Sequence, residues 1–125
     1  MDGFARFSLV AIDCPDAPAL AAFYGEITGW EVGRRDGDGW IELAGDTGAT
    51  IAFQQIADYA PPTWPAGAHP QQAHLDFDVP DLDEGEARAL AIGARKTEEQ
   101  PDPDDFRVFL DPAGHPFCLV LDESA

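Results

Sequence analysis

The chain has 125 residues, 45% of them hydrophobic, with 24 acidic residues against 7 basic ones and a formal net charge of −17 at pH 7. That length suits one compact domain with a single core, and three Trp and eight Phe exclude a disordered chain. The charge excludes nucleic acid as a partner, because its phosphates would be repelled. No apolar run reaches the length of a membrane span and no charged-then-apolar leader opens the chain, so a soluble, cytoplasmic protein without membrane contact is expected. An acidic surface also concentrates cations, small organic cations among them. Cys14 and Cys118 lie in apolar runs without C-x-x-C spacing, which reads as two reduced, buried thiols.

In chain order, the first predicted strand covers residues 7–14. Asp16 can then cap a helix that has Pro18 in its first turn, where the missing N–H is harmless. Leu20, Phe23, Tyr24 and Ile27 follow the i, i+3, i+4, i+7 spacing of a buried helical stripe, and Gly29 ends it. Three short strands follow at 30–34, 40–44 and 50–56, separated by the turns GDG (37–39) and GDTG (45–48). Residues 57–72, with Pro61, Pro62, Pro65 and Pro70, lack periodicity and read as an extended connector.

The order then repeats. A strand at 73–79 precedes Asp81 and Glu84, spaced as a capping box for a helix through Leu90 that Gly93 stops. Strands at 94–96, 107–110 and 117–121 complete the chain, with the acidic loop EEQPDPDD (98–105) reading as a solvated segment. LVAIDCPD at 9–16 and HLDFDVPD at 74–81 share D-x-P-D at corresponding places. The expected architecture is therefore α+β: two tandem βαβββ modules, 1–56 and 73–125, joined by the 57–72 connector in one domain. With one helix per four strands, each mixed, curved sheet covers one face and leaves the other to form a cleft.

Strand alternation sorts the side chains. Leu75, Phe77 and Val79 point to the helix; His74, Asp76 and Asp78 point away. Trp40 and Glu42 share the free face of their strand, as do Thr50, Ala52 and Gln54 on the next. Trp64, in the connector, can close over the cleft and stack a planar or cationic ligand. By the same alternation Phe109 with Arg107 opposes Val108 and Leu110, and Phe109 is assigned to the concave face. The expected ligand-binding set is His74, Asp76, Trp40, Glu42, Gln54, Trp64 and Phe109. His74 can be a partly buried imidazole bonded to a carboxylate, a ligand contact, or an acid/base group near neutral pH. No nucleophile motif, P-loop, dinucleotide fingerprint or Cys/His zinc cluster is present, and no catalytic residue is assigned.

D-x-P-D followed by AAFYGEITGWEV (21–32), then HLDFDVPDLD, then DPAGHPFCLV (111–120), resembles the vicinal oxygen chelate superfamily of glyoxalase I, extradiol dioxygenases and bleomycin-resistance proteins. The wording PQQAHLDFDV with DPAGHPFCL is most similar to its glyoxalase-like domain branch. The resemblance spans essentially the whole chain and implies a homodimer that binds a small molecule. It also implies metal ligands on the first and fourth strand of each module, at positions held here by Leu9, Ala52, His74 and Cys118. Two of these cannot ligate, and His74 with Cys118 is a reduced donor pair that Gln54 or Asp76 would join only after a register shift. No cofactor is expected, with a divalent metal as the alternative. The resulting expectation is a metal-independent binding protein, sequestering a cationic or aromatic ligand as bleomycin-resistance proteins do. The alternative is a lyase, isomerase or dioxygenase with an atypical metal site or His/Asp acid–base chemistry.

Overall fold

The computed structural model describes residues 3–45 and 48–122. The backbone divides into two compact units, Met1–Tyr59 and Ala60–Ala125. The first contains β1 (Val10–Cys14), α1 (Ala17–Thr28), β2 (Glu31–Asp36), β3 (Trp40–Ala44) and β4 (Thr50–Gln55). The second contains β5 (Leu75–Val79), α2 (Leu82–Ala91), β6 (Arg95–Lys96), β7 (Phe106–Leu110) and β8 (Pro116–Leu121). Both are βαβββ, with sheet orders β1-β4-β3-β2 and β5-β8-β7-β6. In each, the helix carries the chain from one sheet edge to the other. Antiparallel neighbours then lead back until the last strand docks parallel to the first. Among the described residues, no helix is long and apolar enough to cross a membrane.

Local chemistry sets the element ends. The Asp16 carboxylate accepts from Ala19 N at 3.0 Å, with proline in the first turn of α1, and Gly29 closes that helix in the left-handed region at φ 73°. The Asp81 carboxylate accepts from Glu84 N at 3.0 Å to open α2. Its first-turn acids Asp83 and Glu84 and last-turn Arg88 match the helix dipole. The first strand starts at Val10 instead of residue 7, and Phe4 and Phe7 are exposed. The fifth starts at Leu75, leaving His74 just outside it. Of the turn expected at 45–48, Asp46 and Thr47 lie outside the described residues.

The cores lie between each helix and its sheet. In the first unit, Leu20, Phe23 and Tyr24 of α1 meet Ile41, Leu43, Ile51 and Phe53, and the Tyr24 ring stacks on Phe53 at 5.6 Å. In the second, Phe109 stacks on Phe117 at 5.6 Å and Phe77 meets Phe117 edge-on at 6.2 Å. Gly85 lets α2 approach closely, since a Cβ there would lie 3.2 Å from Leu119 Cδ1. Arg107, on the same face as Phe109, is tied to α2 through Asp83 at 2.9 Å and Glu86 at 3.3 Å.

Loss of a helix cap should cost less than loss of a core ring. Asp81→Ala should lower unfolding free energy by about 1 kcal/mol, and Phe53→Ala by about 3–5 kcal/mol. Urea denaturation monitored by circular dichroism checks both.

Candidate ligand-binding site

The sheet face of the second unit opposite α2 is built by strand register. On β5, Asp76 sits directly opposite Cys118 of β8, and Val108 of β7 sits opposite Cys118 on its other side. Phe106 and Val120 form the next pair on that face. Together with Trp64, Gln71, His74, Pro101 and Pro116, these residues line a cavity of about 410 Å³. Its walls are mostly apolar, and its polar groups are few and clustered, as in a small-molecule pocket.

Each polar group has a distinct state. His74 Nε2 lies 3.1 Å from Asp76 Oδ1, with the two side chains 40% and 55% exposed. The Cys118 thiol is buried, and its pKa is pushed up to about 11, first by that burial and then by the charge and hydrogen bond of Asp76. The Gln71 carbonyl oxygen is buried without a hydrogen-bond partner. An unpaired buried acceptor of this kind costs about 1–3 kcal/mol until a donor reaches it.

Loops complete the walls, and their chemistry holds them in place. Thr63 N donates to His69 O at 2.6 Å, and His69 N donates to Thr63 Oγ1 at 3.1 Å, so residues 63–69 form a closed loop that presents Trp64. Gly67 is required there: at φ 144°, a Cβ would lie 2.5 Å from Thr63 Oγ1. The Asp111 carboxylate, 1% exposed, accepts from Ala113 N at 2.8 Å and His115 N at 3.0 Å, which shapes the D-P-x-G turn before β8. The acidic loop is anchored at Gln100, whose amide donates to Val108 O at 2.8 Å and accepts from Val108 N at 2.9 Å. This anchoring brings Pro101 to the cavity wall.

Of the residues expected at the site, His74, Asp76 and Trp64 line this cavity. Trp40, Glu42 and Gln54 line a second, more polar cavity of about 730 Å³ in the first unit, together with Arg34, Asp36 and Ser8. There the Trp40 indole N–H donates to Glu42 Oε2 at 2.8 Å. Phe109 lines neither cavity. It is 0% exposed and belongs to the core under α2, because its register partner is Phe117 and not Cys118. The register shift expected to be necessary for Asp76 is also corrected, since Asp76 and Cys118 are already cross-strand partners. Gln71, Pro101, Phe106 and Val108 were not anticipated. Val108 and Phe106 follow from alternation once Cys118 is placed on the free face, whereas Gln71 and Pro101 lie in segments without periodicity.

At pH 8 a thiol of pKa about 11 is ionised in roughly one molecule in a thousand. Removing the Asp76 charge in Asp76→Asn should lower that pKa while burial still holds it above the ordinary range. Alkylation of Cys118 at pH 8.5, followed by mass spectrometry, should then speed up severalfold. An unchanged rate would show that Asp76 does not control the thiol.

The glyoxalase-like domain model matches residues 9–120. No curated protein sequence matches the chain. Among solved structures, a glyoxalase/bleomycin resistance protein/dioxygenase family enzyme from Burkholderia phytofirmans superposes with a TM-score of 0.70 at 20% identity, over 94% of this chain and 98% of its own. A mutant of the fosfomycin resistance protein FosX from Listeria monocytogenes, complexed with Mn(II) and 1S,2S-dihydroxypropylphosphonic acid, gives 0.70 at 18% identity, over 94% and 90%. Lactoylglutathione lyase from Agrobacterium tumefaciens gives 0.63 at 19%, over 94% and 93%. Manganese favours carboxylate, carbonyl and water oxygens. The four positions that the resemblance assigns to ligands are Leu9, Ala52, His74 and Cys118, two hydrocarbons, an imidazole and a protonated thiol, so the donors here do not fit such an ion. The cross-strand pairs Leu75–Phe117 and Val10–Ile51 repeat the same parallel docking in both units, and with the match over residues 9–120 the chain belongs to the glyoxalase-like domain family.

Proposed function

We propose that this protein binds a small organic molecule in the cavity of its second unit, and that the ligand is cationic or aromatic and needs no resident manganese-type metal. The observation that carries this reading is the partnerless Gln71 carbonyl in an otherwise mostly apolar cavity. The nearby Asp76 carboxylate is also an acceptor, so the polar groups call for a ligand rich in N–H or O–H donors. Trp64 offers a ring face to a planar or cationic group. The net charge of −17 favours approach of cations and opposes anions. On this reading, a phosphonate such as the one bound by the FosX mutant is a poor ligand for this chain.

One contact supports a second reading, as a lyase, isomerase or dioxygenase. A carboxylate 3.1 Å from His74 Nε2 can orient the imidazole, which is the arrangement of an acid–base pair. In that case a bound ligand would be turned over, and His74→Ala would abolish conversion while leaving Trp64-dependent binding in place.

The two readings are tested by a thermal-shift screen in the presence of chelator, pairing aromatic amines and amidines with aromatic phosphonates of similar size. Cationic compounds should raise the melting temperature and phosphonates should not. For a cationic hit, Gln71→Leu and Trp64→Ala should each weaken affinity about tenfold, the worth of one well-formed contact, while the melting temperature of the free protein rises in Gln71→Leu, which removes the unpaired acceptor. Equal stabilisation by phosphonates, or binding that disappears with chelator, would overturn the proposal.

A further inference from the structure

We propose that Arg107 is a positioning residue that latches the cavity-walling acidic loop to α2, and so sets how readily the cavity of the second unit opens. Comparison of the two units exposes the oddity of this residue. By strand register Arg107, opposite Leu119, corresponds to Ile41, opposite Phe53. Ile41 is 1% exposed in the core of the first unit. The second unit sets a guanidinium in that helix-facing place, with its side chain only 16% exposed. A cation so placed costs stability unless acceptors surround it.

The acceptors come from two directions. Arg107 Nη1 donates to Asp83 at 2.9 Å and Glu86 at 3.3 Å on α2, and Nε donates to the Pro103 carbonyl at 3.0 Å. Glu86 is held in turn by Lys96 of β6 at 3.0 Å. One side chain therefore joins the helix on one face of the sheet to the loop whose Pro101 walls the cavity on the other. Its neighbours on β7, Phe106 and Val108, line that same cavity. The loop is otherwise pinned toward its ends, where Gln100 bonds the Val108 peptide and Leu121 N donates to Asp105 O at 2.8 Å. Within it Asp104 and Asp105 crowd Asp102. The Asp102 carboxyl is raised above the ordinary range first by a hydrogen bond with Asp105, then by desolvation and the two like charges. That repulsion loosens the loop, and the Arg107–Pro103 bond opposes it. The guanidinium fork is needed, because the single nitrogen of a lysine cannot serve Pro103 and α2 together.

This inference rests on the second-unit cavity as the binding site but not on the ligand, because Cys118 inside the cavity reports access with nothing bound. A failed ligand screen beside latch variants that behave as expected separates the two. Cys118 and Cys14 are alkylated together with N-ethylmaleimide at pH 8.5 and quantified by peptide mass spectrometry, with Cys14, buried in the first unit, as internal reference. Arg107→Lys should raise the Cys118 rate about fivefold relative to Cys14, the change in open population that one lost hydrogen bond brings. The substitution preserves the charge, so a faster rate reports access and not a lower thiol pKa. Asp83→Asn leaves the Pro103 bond in place and weakens only its anchorage on α2, so its rise should be smaller. Amides of residues 102–106 should exchange hydrogen faster in Arg107→Lys than in the unmodified protein. An unchanged Cys118 rate in Arg107→Lys would remove this residue from control of the cavity. An equal rise at both cysteines would also overturn the proposal, by making Arg107 a support of the whole fold, as would a larger rise in Asp83→Asn than in Arg107→Lys.

Discussion

The parallel docking of β8 on β5 decides which side chains reach the cavity. Strand side chains alternate, so a slip of one residue would send Phe117 and Leu119 to solvent and Cys118 under the helix. The aromatic layer of Phe77, Phe109 and Phe117 prevents that slip, because it buries one face in a single arrangement. The opposite face is then fixed without needing contacts of its own. Asp76, Cys118 and Val108 are brought into one row by residues that never touch the cavity. The first unit uses the same docking through Ile51 and Phe53, yet its row reads Ala11, Ala52 and Glu42. A common scaffold thus supports two faces of different chemistry.

Within the cavity of the second unit, burial and polarity work against each other in a controlled way. Cys118 is dry enough to stay protonated, and the adjacent Asp76 reinforces that state. Asp76 keeps its solvent contact and reaches His74 on its exposed side. The interior thiol and the half-exposed dyad therefore occupy neighbouring positions with different access to water. Gln71 adds a polar atom cut off from water, which natural structures seldom leave unpaired without a reason. Binding is a sufficient reason, since a ligand donor removes the penalty.

Much of this was readable from residue types and spacing. The Asp16 and Asp81 caps, Gly29 and the helical stripe from Leu20 to Tyr24 are local features, and local chemistry placed them within a residue or two. Alternation correctly set His74 and Asp76 apart from Leu75 and Phe77. Alternation separated Phe109 from Val108 but could not say which of the two faces the helix, and Phe109 lies in the core. Its neighbour Val108 is the residue opposite Cys118, and only pairing between strands reveals that. The Asp76–Cys118 partnership was hidden for the same reason, being a long-range relation between the first and last strands. Gln71 and Pro101 lie in irregular segments whose paths depend on Thr63, Gly67 and Gln100, and no periodicity announces such contacts.

The Gln100 amide has a bearing on how the protein behaves in company. β6 is two residues long and pairs with β7 only at Leu110 and Phe109, so the outer rim of the sheet would otherwise present the Val108 peptide group to any passing strand. Gln100 occupies that rim with one donor and one acceptor, imitating a strand one residue long, and Thr97 shares the Val108 carbonyl. Open rims of this kind template aggregation. Here Gln100, together with the hydroxyl and backbone N–H of Thr97 on the Val108 carbonyl, caps the peptide group that a foreign strand would need. The loop that walls the cavity thereby also closes part of the sheet edge to strand addition.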